Sequence, residues 1–178
     1  MPIRSAMLAD ATAIARVHVD SWRTTYRGLF PDAFLADLSY EQRAEFWSAA
    51  IATPQQGQRI YVAEDAAGQV IGFAAGGPER EGDSIYAGDL YAIYLLASEQ
   101  RAGLGRLLVH AIAQGLLDDG MPSMLVWVLA ENPARRFYEA LRGQYIREKH
   151  GSVGDLEITE VAYGWPDIRE LIDACANP

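Results

Sequence analysis

Apolar and polar positions change period several times along this 178-residue chain. Between Asp10 and His18, Ile14 and Val17 fall on one side at helical spacing, and Asp10 suits the cap of a first helix. The stretch SWRTTYRGLFPDAFLADLSYEQRAEFWSAAI continues helically, broken near Gly28 and Pro31, with Ser39 as cap for the segment opening YEQR. The period then shortens. RIYVAED and QVIGFAAGG flank the turn-like AAG and predict a hairpin. IYAGDLYAIYLL predicts another strand, and a helix from about Gly103 to Leu117 follows it. SMLVWVLA is apolar throughout, as expected of a strand covered on both faces and central in a sheet.

ENPARRFYEALRG is punctuated as a helix, with Asn132 at the cap, Pro133 at the first helical position and Gly143 at the C-terminal cap. QYIREKH and DLEITEVAYGW predict a closing antiparallel pair around the turn GSVGD. The order predicts a mixed sheet with helices on its faces, an α/β or α+β fold, in one domain spanning residues 1–178.

The net charge of −9 argues against general nucleic-acid binding, which needs a basic surface, and favours small cationic partners such as amines. Half the residues are hydrophobic, enough for a sizeable core. The single cysteine, Cys175, has no partner for an internal disulfide, which fits a reducing compartment. The longest apolar run, at 124–130, is too short for a bilayer, and charged residues interrupt the N-terminus, so the expectation is a cytoplasmic protein with no membrane partner.

SEQRAGLGR, at 98–106, places two glycines where a helix starts. A loop feeding a helix start aims backbone N–H groups at its neighbour, and the helix dipole favours an anion there. Without a Cβ, Gly103 and Gly105 permit close approach of a phosphate; a tight turn with close packing is the alternative. A nucleotide P-loop requires Lys-Ser/Thr after the second glycine, where this chain has Arg106 and Leu107. A dinucleotide fingerprint requires a third glycine, where Leu108 stands.

The remaining pattern, Gln-x-x-Gly-x-Gly at 100–105, resembles the acyl-CoA pyrophosphate loop of the GNAT superfamily of N-acyltransferases. AIYLLASEQRAGLGRLL is similar to that superfamily's fourth strand, loop and third helix, and VWVLAENPARRFYEALRG to its fifth strand and following helix. The resemblance covers residues 60–165 and is looser over 1–59. It implies a mostly antiparallel mixed sheet splayed between the fourth and fifth strands, with acetyl-CoA as cosubstrate and no metal.

By the same resemblance, backbone groups of Ile93, Tyr94 and Leu95 bond the pantetheine arm. Gln100, Arg101, Ala102, Gly103, Leu104, Gly105 and Arg106 surround the pyrophosphate, with Arg101 and Arg106 either adding charge or lying solvated on the surface. Asn132 contacts the cofactor arm, a role compatible with capping. The Leu95 N–H polarises the thioester carbonyl, and Tyr138 protonates the departing sulfur. Phe137 and Leu141, at i and i+4, predict the core-facing side of that helix and turn Tyr138 elsewhere, toward the cleft. Asp89 stands where relatives carry a catalytic glutamate, one methylene shorter, and is either the base or a residue at a strand end; Glu131 is a weaker carboxylate candidate. Strand alternation sets Asp89, Tyr91 and Ile93 on one face.

At the acceptor end, His18, Trp22 and Tyr26 form one helical stripe, which either packs on the sheet or in part lines a pocket whose ring faces suit an ammonium group. Trp22, Tyr26, Asp89 and Tyr91 are the candidate acceptor contacts. Neither His110 nor His150 has ligand spacing to His18, so no metal site is expected. The implied activity is acetyl transfer to the primary amine of a small molecule by direct attack in a ternary complex, with a homodimer possible. Acetylation of a protein lysine or N-terminus, and a CoA-binding module without catalysis, remain as alternatives.

Overall fold

A computed structural model describes residues 2–176, so the outermost ends of the expected domain lie outside the described residues. A seven-stranded sheet in the order β1-β2-β3-β4-β5-β7-β6 carries helices on both faces. The strands are β1 (Ile3–Ser5), β2 (Arg59–Glu64), β3 (Val70–Pro78), β4 (Gly88–Leu95), β5 (Met124–Leu129), β6 (Gln144–Val153) and β7 (Leu156–Trp165). The helices are α1 (Ala11–Thr25), α2 (Asp32–Ala36), α3 (Tyr40–Ala52), α4 (Leu104–Asp118), α5 (Arg135–Ala140) and α6 (Ile168–Ala176).

Every sheet pairing is antiparallel except β4 with β5. The first helix is longer than its periodicity predicts. Asp10 does not cap it through its side chain, because the carboxylate receives the Met7 N–H at 2.7 Å and pairs with Arg4. Ser39 caps α3 as expected, accepting from the Gln42 N–H. The β2–β3 hairpin closes where Asp65 accepts from the amides of Ala67 and Gln69. The β6–β7 strands absorb most of the predicted GSVGD turn, leaving only Gly154 and Asp155 between them.

One apolar layer joins the sheet to α4 and α6 through Leu90, Leu108, Ile112, Leu116, Val126 and Leu171. The opposite face packs on α1 and α3 through Ile14, Val17, Trp47, Val62 and Phe73. Two features open the sheet between β4 and β5. Their parallel pairing holds only at Gly88–Met124 and Asp89–Leu125. Two residues on, β4 carries an extra residue opposite β3, since Gly76 pairs with Leu90 and Ala75 with Ala92, leaving Tyr91 as a bulge. A bulge bends its strand and adds twist, which turns β4 away from β5.

The bulge also revises the predicted alternation. Tyr91, Ala92 and Tyr94 pack toward α1 and α3, while Ile93 and Leu95 pack toward α4. Ile93 therefore does not share a face with Tyr91. Helix α5 differs as well, because Arg142 (φ +63°), not Gly143, takes the left-handed position after it. Gly143 is required by space instead, as a Cβ there would lie 2.8 Å from Trp165 and 2.9 Å from the Tyr138 carbonyl.

Candidate functional site

The gap between β4 and β5 exposes unpaired strand edge. Leu96 donates to the Ile71 carbonyl at 3.0 Å, and antiparallel pairs alternate, so Tyr94 turns its backbone groups toward β3. Those of Ile93 and Leu95 point into the gap. Tyr94 is thus out of position for the backbone contact the resemblance gives it, although its side chain borders the site. The Leu95 carbonyl accepts from Ser21 Oγ at 3.1 Å and from Gln100 Nε2 at 3.2 Å. Its N–H has no acceptor among the described residues and remains open to a ligand. Ser21, fully buried on α1, is a participant that the sequence pattern does not single out.

Below the gap, the loop from Gln100 meets the start of α4. Among the described residues, none of the amides of residues 101–105 donates a hydrogen bond. Five free donors at a helix N-terminus form a seat for an anion such as a phosphate. The two glycines serve it differently. Gly103 adopts φ +83° with open space around its missing Cβ, so its requirement is conformational. Gly105 has ordinary backbone, and a Cβ there would lie 3.3 Å from the Phe137 ring. Arg101 also takes a positive φ, +64°, and Leu104 anchors the turn in the core. Ala102 is exposed at the loop surface. Arg106 lies in the first turn of α4, half-buried, and its guanidinium donates to the Ala174 carbonyl at 3.1 Å, near the C-terminal end of α6, where carbonyls lack helical partners.

Tyr138 and Phe137 exchange their predicted places. Tyr138 is 4% exposed and packs against Tyr163 and Trp165, while the half-buried Phe137 covers Gly105. Helix α5 has only six residues, and its inward face is formed by Tyr138 with Leu141. Among the described residues, the Tyr138 hydroxyl nevertheless has no hydrogen-bond partner and is not sealed from space, and the one sealed, unpartnered side-chain N or O is Trp127 Nε1. It lies within electrostatic reach of the Tyr26 and Tyr94 hydroxyls, and burial pushes its pKa up.

Trp22 Nε1 donates to the Tyr94 hydroxyl at 2.9 Å, Asn132 Nδ2 donates to Tyr26 at 3.4 Å, and the Tyr94 and Tyr26 hydroxyls lie within electrostatic reach of each other. Asn132 Oδ1 accepts from the N–H of Ala134, the residue just before α5, so Asn132 shapes the turn into the helix and is not its cap residue. Both ends of the Asn132 side chain are engaged, and a ligand contact would require exchanging one of these bonds. Tyr26 is buried with Phe30, Leu35 and Leu129.

On the α1/α3 side of β4 lies a cavity of about 720 Å³, whose walls include Trp22, Arg43, Phe46, Trp47, Arg80, Tyr91 and Tyr94. Tyr26 does not line it. Behind its rim, the Asp89 carboxylate is almost fully buried and receives the Arg80 guanidinium at 3.0 Å. The same guanidinium lies 3.9 Å from the Tyr91 ring centre. Burial raises the Asp89 pKa to about 6, against the lowering influence of Arg80. A carboxylate titrating there suits proton transfer near neutral pH. Glu131 is exposed at the surface. Arg80 itself lies in the β3–β4 loop, and only the fold connects it to Asp89.

Comparison with known proteins places this geometry among relatives. The profile of the family described as FR47-like protein matches residues 83–151, from before β4 into β6. An N-acetyltransferase of Bacillus subtilis, YuaI, named as uncharacterized, is 41% identical over 169 residues, 95% of each chain. The L-methionine sulfoximine/L-methionine sulfone acetyltransferase of Pseudomonas paraeruginosa is 28% identical over 166 residues, covering 89% of this chain and 92% of its own. Among solved structures, the acetyltransferase yncA of Salmonella typhimurium, determined with acetyl-CoA, superposes with a TM-score of 0.70 at 22% identity, covering 93% of this chain and 92% of the other. Among the described residues no helix is long and apolar enough to cross a membrane.

Proposed function

The chain belongs to the GNAT superfamily of acetyl-CoA-dependent N-acetyltransferases, and on that premise we propose that it transfers acetyl to the primary amine of a small molecule, by direct attack within a ternary complex. The observation carrying the small-molecule reading is the cavity of about 720 Å³ against β4, walled by side chains and sized for a compact ligand. The relative named for L-methionine sulfoximine and L-methionine sulfone is in keeping with such an acceptor.

In this reading the unpaired amides of residues 101–105 seat the CoA pyrophosphate, with the α4 dipole reinforcing them. The gap-facing backbone groups of Ile93 and Leu95 align the pantetheine arm, and the Leu95 N–H polarises the thioester carbonyl as its oxygen gains charge. The amine nitrogen attacks the carbonyl carbon, so a C–N bond forms and the C–S bond breaks. The amine proton passes to the Asp89 carboxylate, directly or through water. The departing sulfur takes a proton from the Tyr138 hydroxyl, which burial keeps neutral at working pH. The enzyme acts as a single cytoplasmic domain.

Release of free CoA thiol across a panel of amines tests the reading. Turnover with one class of small amine supports it, and turnover with peptide or protein acceptors alone refutes it. For Asp89 the expected result has a defined sign. The base must be ionised, so wild-type kcat/KM climbs as pH rises through about 6. Asp89→Asn lowers kcat/KM by about 10²-fold and flattens that limb. An unchanged pH–rate profile removes Asp89 from the mechanism. The raised pKa also means that the folded state holds this proton longer than the unfolded chain. Stability contributed by Asp89 is therefore present below 3.8 and lost as pH rises to about 6, a cost on the order of 3 kcal/mol that Asp89→Asn escapes in thermal melts above pH 6.

We further propose a homodimer joined through the β6–β7 end of the sheet, where β6 is an unpaired edge with Tyr145 exposed. Sedimentation equilibrium is expected to return twice the chain mass, and a monomer at high concentration would discard the dimer.

A further inference from the structure

We propose that the acceptor carries a carboxylate beside its amine, and that the Arg43 guanidinium and the Nε2–H of His18 hold that carboxylate inside the cavity. This rests on the small-amine reading above and names its substrate class.

His18 is only 8% exposed, on the α1 face against the sheet. Its Nδ1 lies 3.1 Å from Trp47 Nε1. An indole nitrogen can only donate, so Nδ1 must accept, and the neutral ring carries its proton on Nε2. The ring is held by stacking on Tyr94, 4.8 Å between centroids and 19° from parallel, and by a tilted contact with Phe73 at 5.8 Å. No described residue accepts the Nε2–H, and Nε2 is not among the sealed atoms. His18 lines the cavity. Thus a donor in a ring more than nine-tenths buried, of fixed tautomer and unpartnered, is available to a ligand there. Burial and the nearby Arg43 lower the His18 pKa to about 4, so the ring remains neutral at physiological pH.

Arg43 supplies the charge. It is half-buried on α3, close enough to influence His18, and its side chain has no hydrogen bond or ion pair among the described residues. The cavity lining has two arginines, Arg43 and Arg80, and no aspartate or glutamate. Arg80 is already committed to Asp89 and Tyr91, which leaves Arg43 as the free cation. A planar guanidinium beside a fixed N–H donor matches the two oxygens of a carboxylate.

The arrangement also discriminates between amines. A polyamine or polycationic drug would bring positive charge against Arg43 and Arg80. An α-amino acid instead presents its amine toward the Leu95 and Asp89 side and its carboxylate toward Arg43. Phe46, Trp47 and Tyr91 offer apolar walls for its side chain.

The test compares apolar L-amino acids with their carboxamides and decarboxylated amines, by thiol release at saturating acetyl-CoA. Wild type is expected to prefer the carboxylate by about ten- to hundredfold in kcat/KM, the scale of a charge-assisted hydrogen bond. Arg43→Gln abolishes that preference through KM, Arg43→Lys restores part of it, and His18→Asn weakens it, with circular dichroism confirming each fold. Equal turnover of the three acceptor types overturns the carboxylate subsite and leaves the small-amine reading standing. Turnover of peptide or protein acceptors alone, or none at all, overturns both. A preference that survives Arg43→Gln in a folded protein assigns the carboxylate to other residues and also overturns the proposal.

Discussion

Gly105→Glu abolishes acetyl-CoA binding and leaves the fold standing. The two effects separate because Gly105 has an ordinary φ in the first turn of α4, where a glutamate is compatible with the helix and gains from its dipole. The nearest neighbours of a new Cβ are side-chain atoms, the Phe137 ring at 3.3 Å and Leu95 Cδ1 at 3.7 Å, which can yield by the few tenths of an ångström required. The new carboxylate, however, sits among the free amides of residues 101–105, satisfies them internally and repels a pyrophosphate. Calorimetric titration should show acetyl-CoA affinity falling by more than about 10²-fold, since a bound anion loses both its donors and its room. A melting temperature near that of wild type establishes that binding, not folding, was lost. Gly105→Ala, which adds bulk without charge, should show a smaller defect. Wild-type affinity in the glutamate variant would place the phosphate seat elsewhere.

That loop was legible from sequence because its requirements are local. A left-handed residue before a helix and a missing Cβ inside its first turn leave glycines at fixed spacing, whatever the rest of the chain does. The same holds for the hairpin at Asp65 and for the Ser39 cap, each settled within five residues. Element order was legible from the change of period, apart from the two ends. Strand β1 has three residues and exists only through pairing with β2. Helix α6 carries a periodic signal in Ile168, Leu171, Ile172 and Cys175, but the strand pattern running up to Trp165 masks where it begins.

The acceptor side was less legible for the opposite reason. Strict alternation along β4 predicts Asp89, Tyr91 and Ile93 on one face, and a single extra residue at Tyr91 cancels that prediction beyond the bulge. A bulge of this kind is fixed by the partner strand, where Gly76 and Gly77 admit close contacts, so nothing within β4 announces it. The Asp89–Arg80 pair spans nine residues, and the contact from Trp47 to His18 spans twenty-nine. Burial and partners, which set the Asp89 and His18 pKa values in opposite directions from their ordinary ranges, are properties of the assembled sheet and helices. The sequence pattern therefore identified residue types suited to the chemistry, while their protonation states and neighbours came only with the fold.

Tyr138→Phe lowers kcat by about 10²-fold, the usual contribution of a positioned proton donor, with acetyl-CoA affinity unchanged. The structure makes this substitution unusually informative. The ring of Tyr138 is buried against Tyr163 and Trp165, and phenylalanine preserves that packing. The hydroxyl has no hydrogen-bond partner among the described residues, so removing it strands no buried donor or acceptor. A tyrosine serving only the core would therefore be indifferent to the change, in stability and in turnover alike. Denaturant unfolding should show a difference within about 1 kcal/mol, the range for deleting an unpaired hydroxyl. A large fall in kcat beside that small change in stability means that the hydroxyl meets the reacting groups in the ternary complex, as a proton donor to the sulfur must. Turnover at the wild-type level would instead reduce Tyr138 to packing and shift the search for the proton donor to Tyr26 and Tyr94, whose hydroxyls lie within electrostatic reach of it.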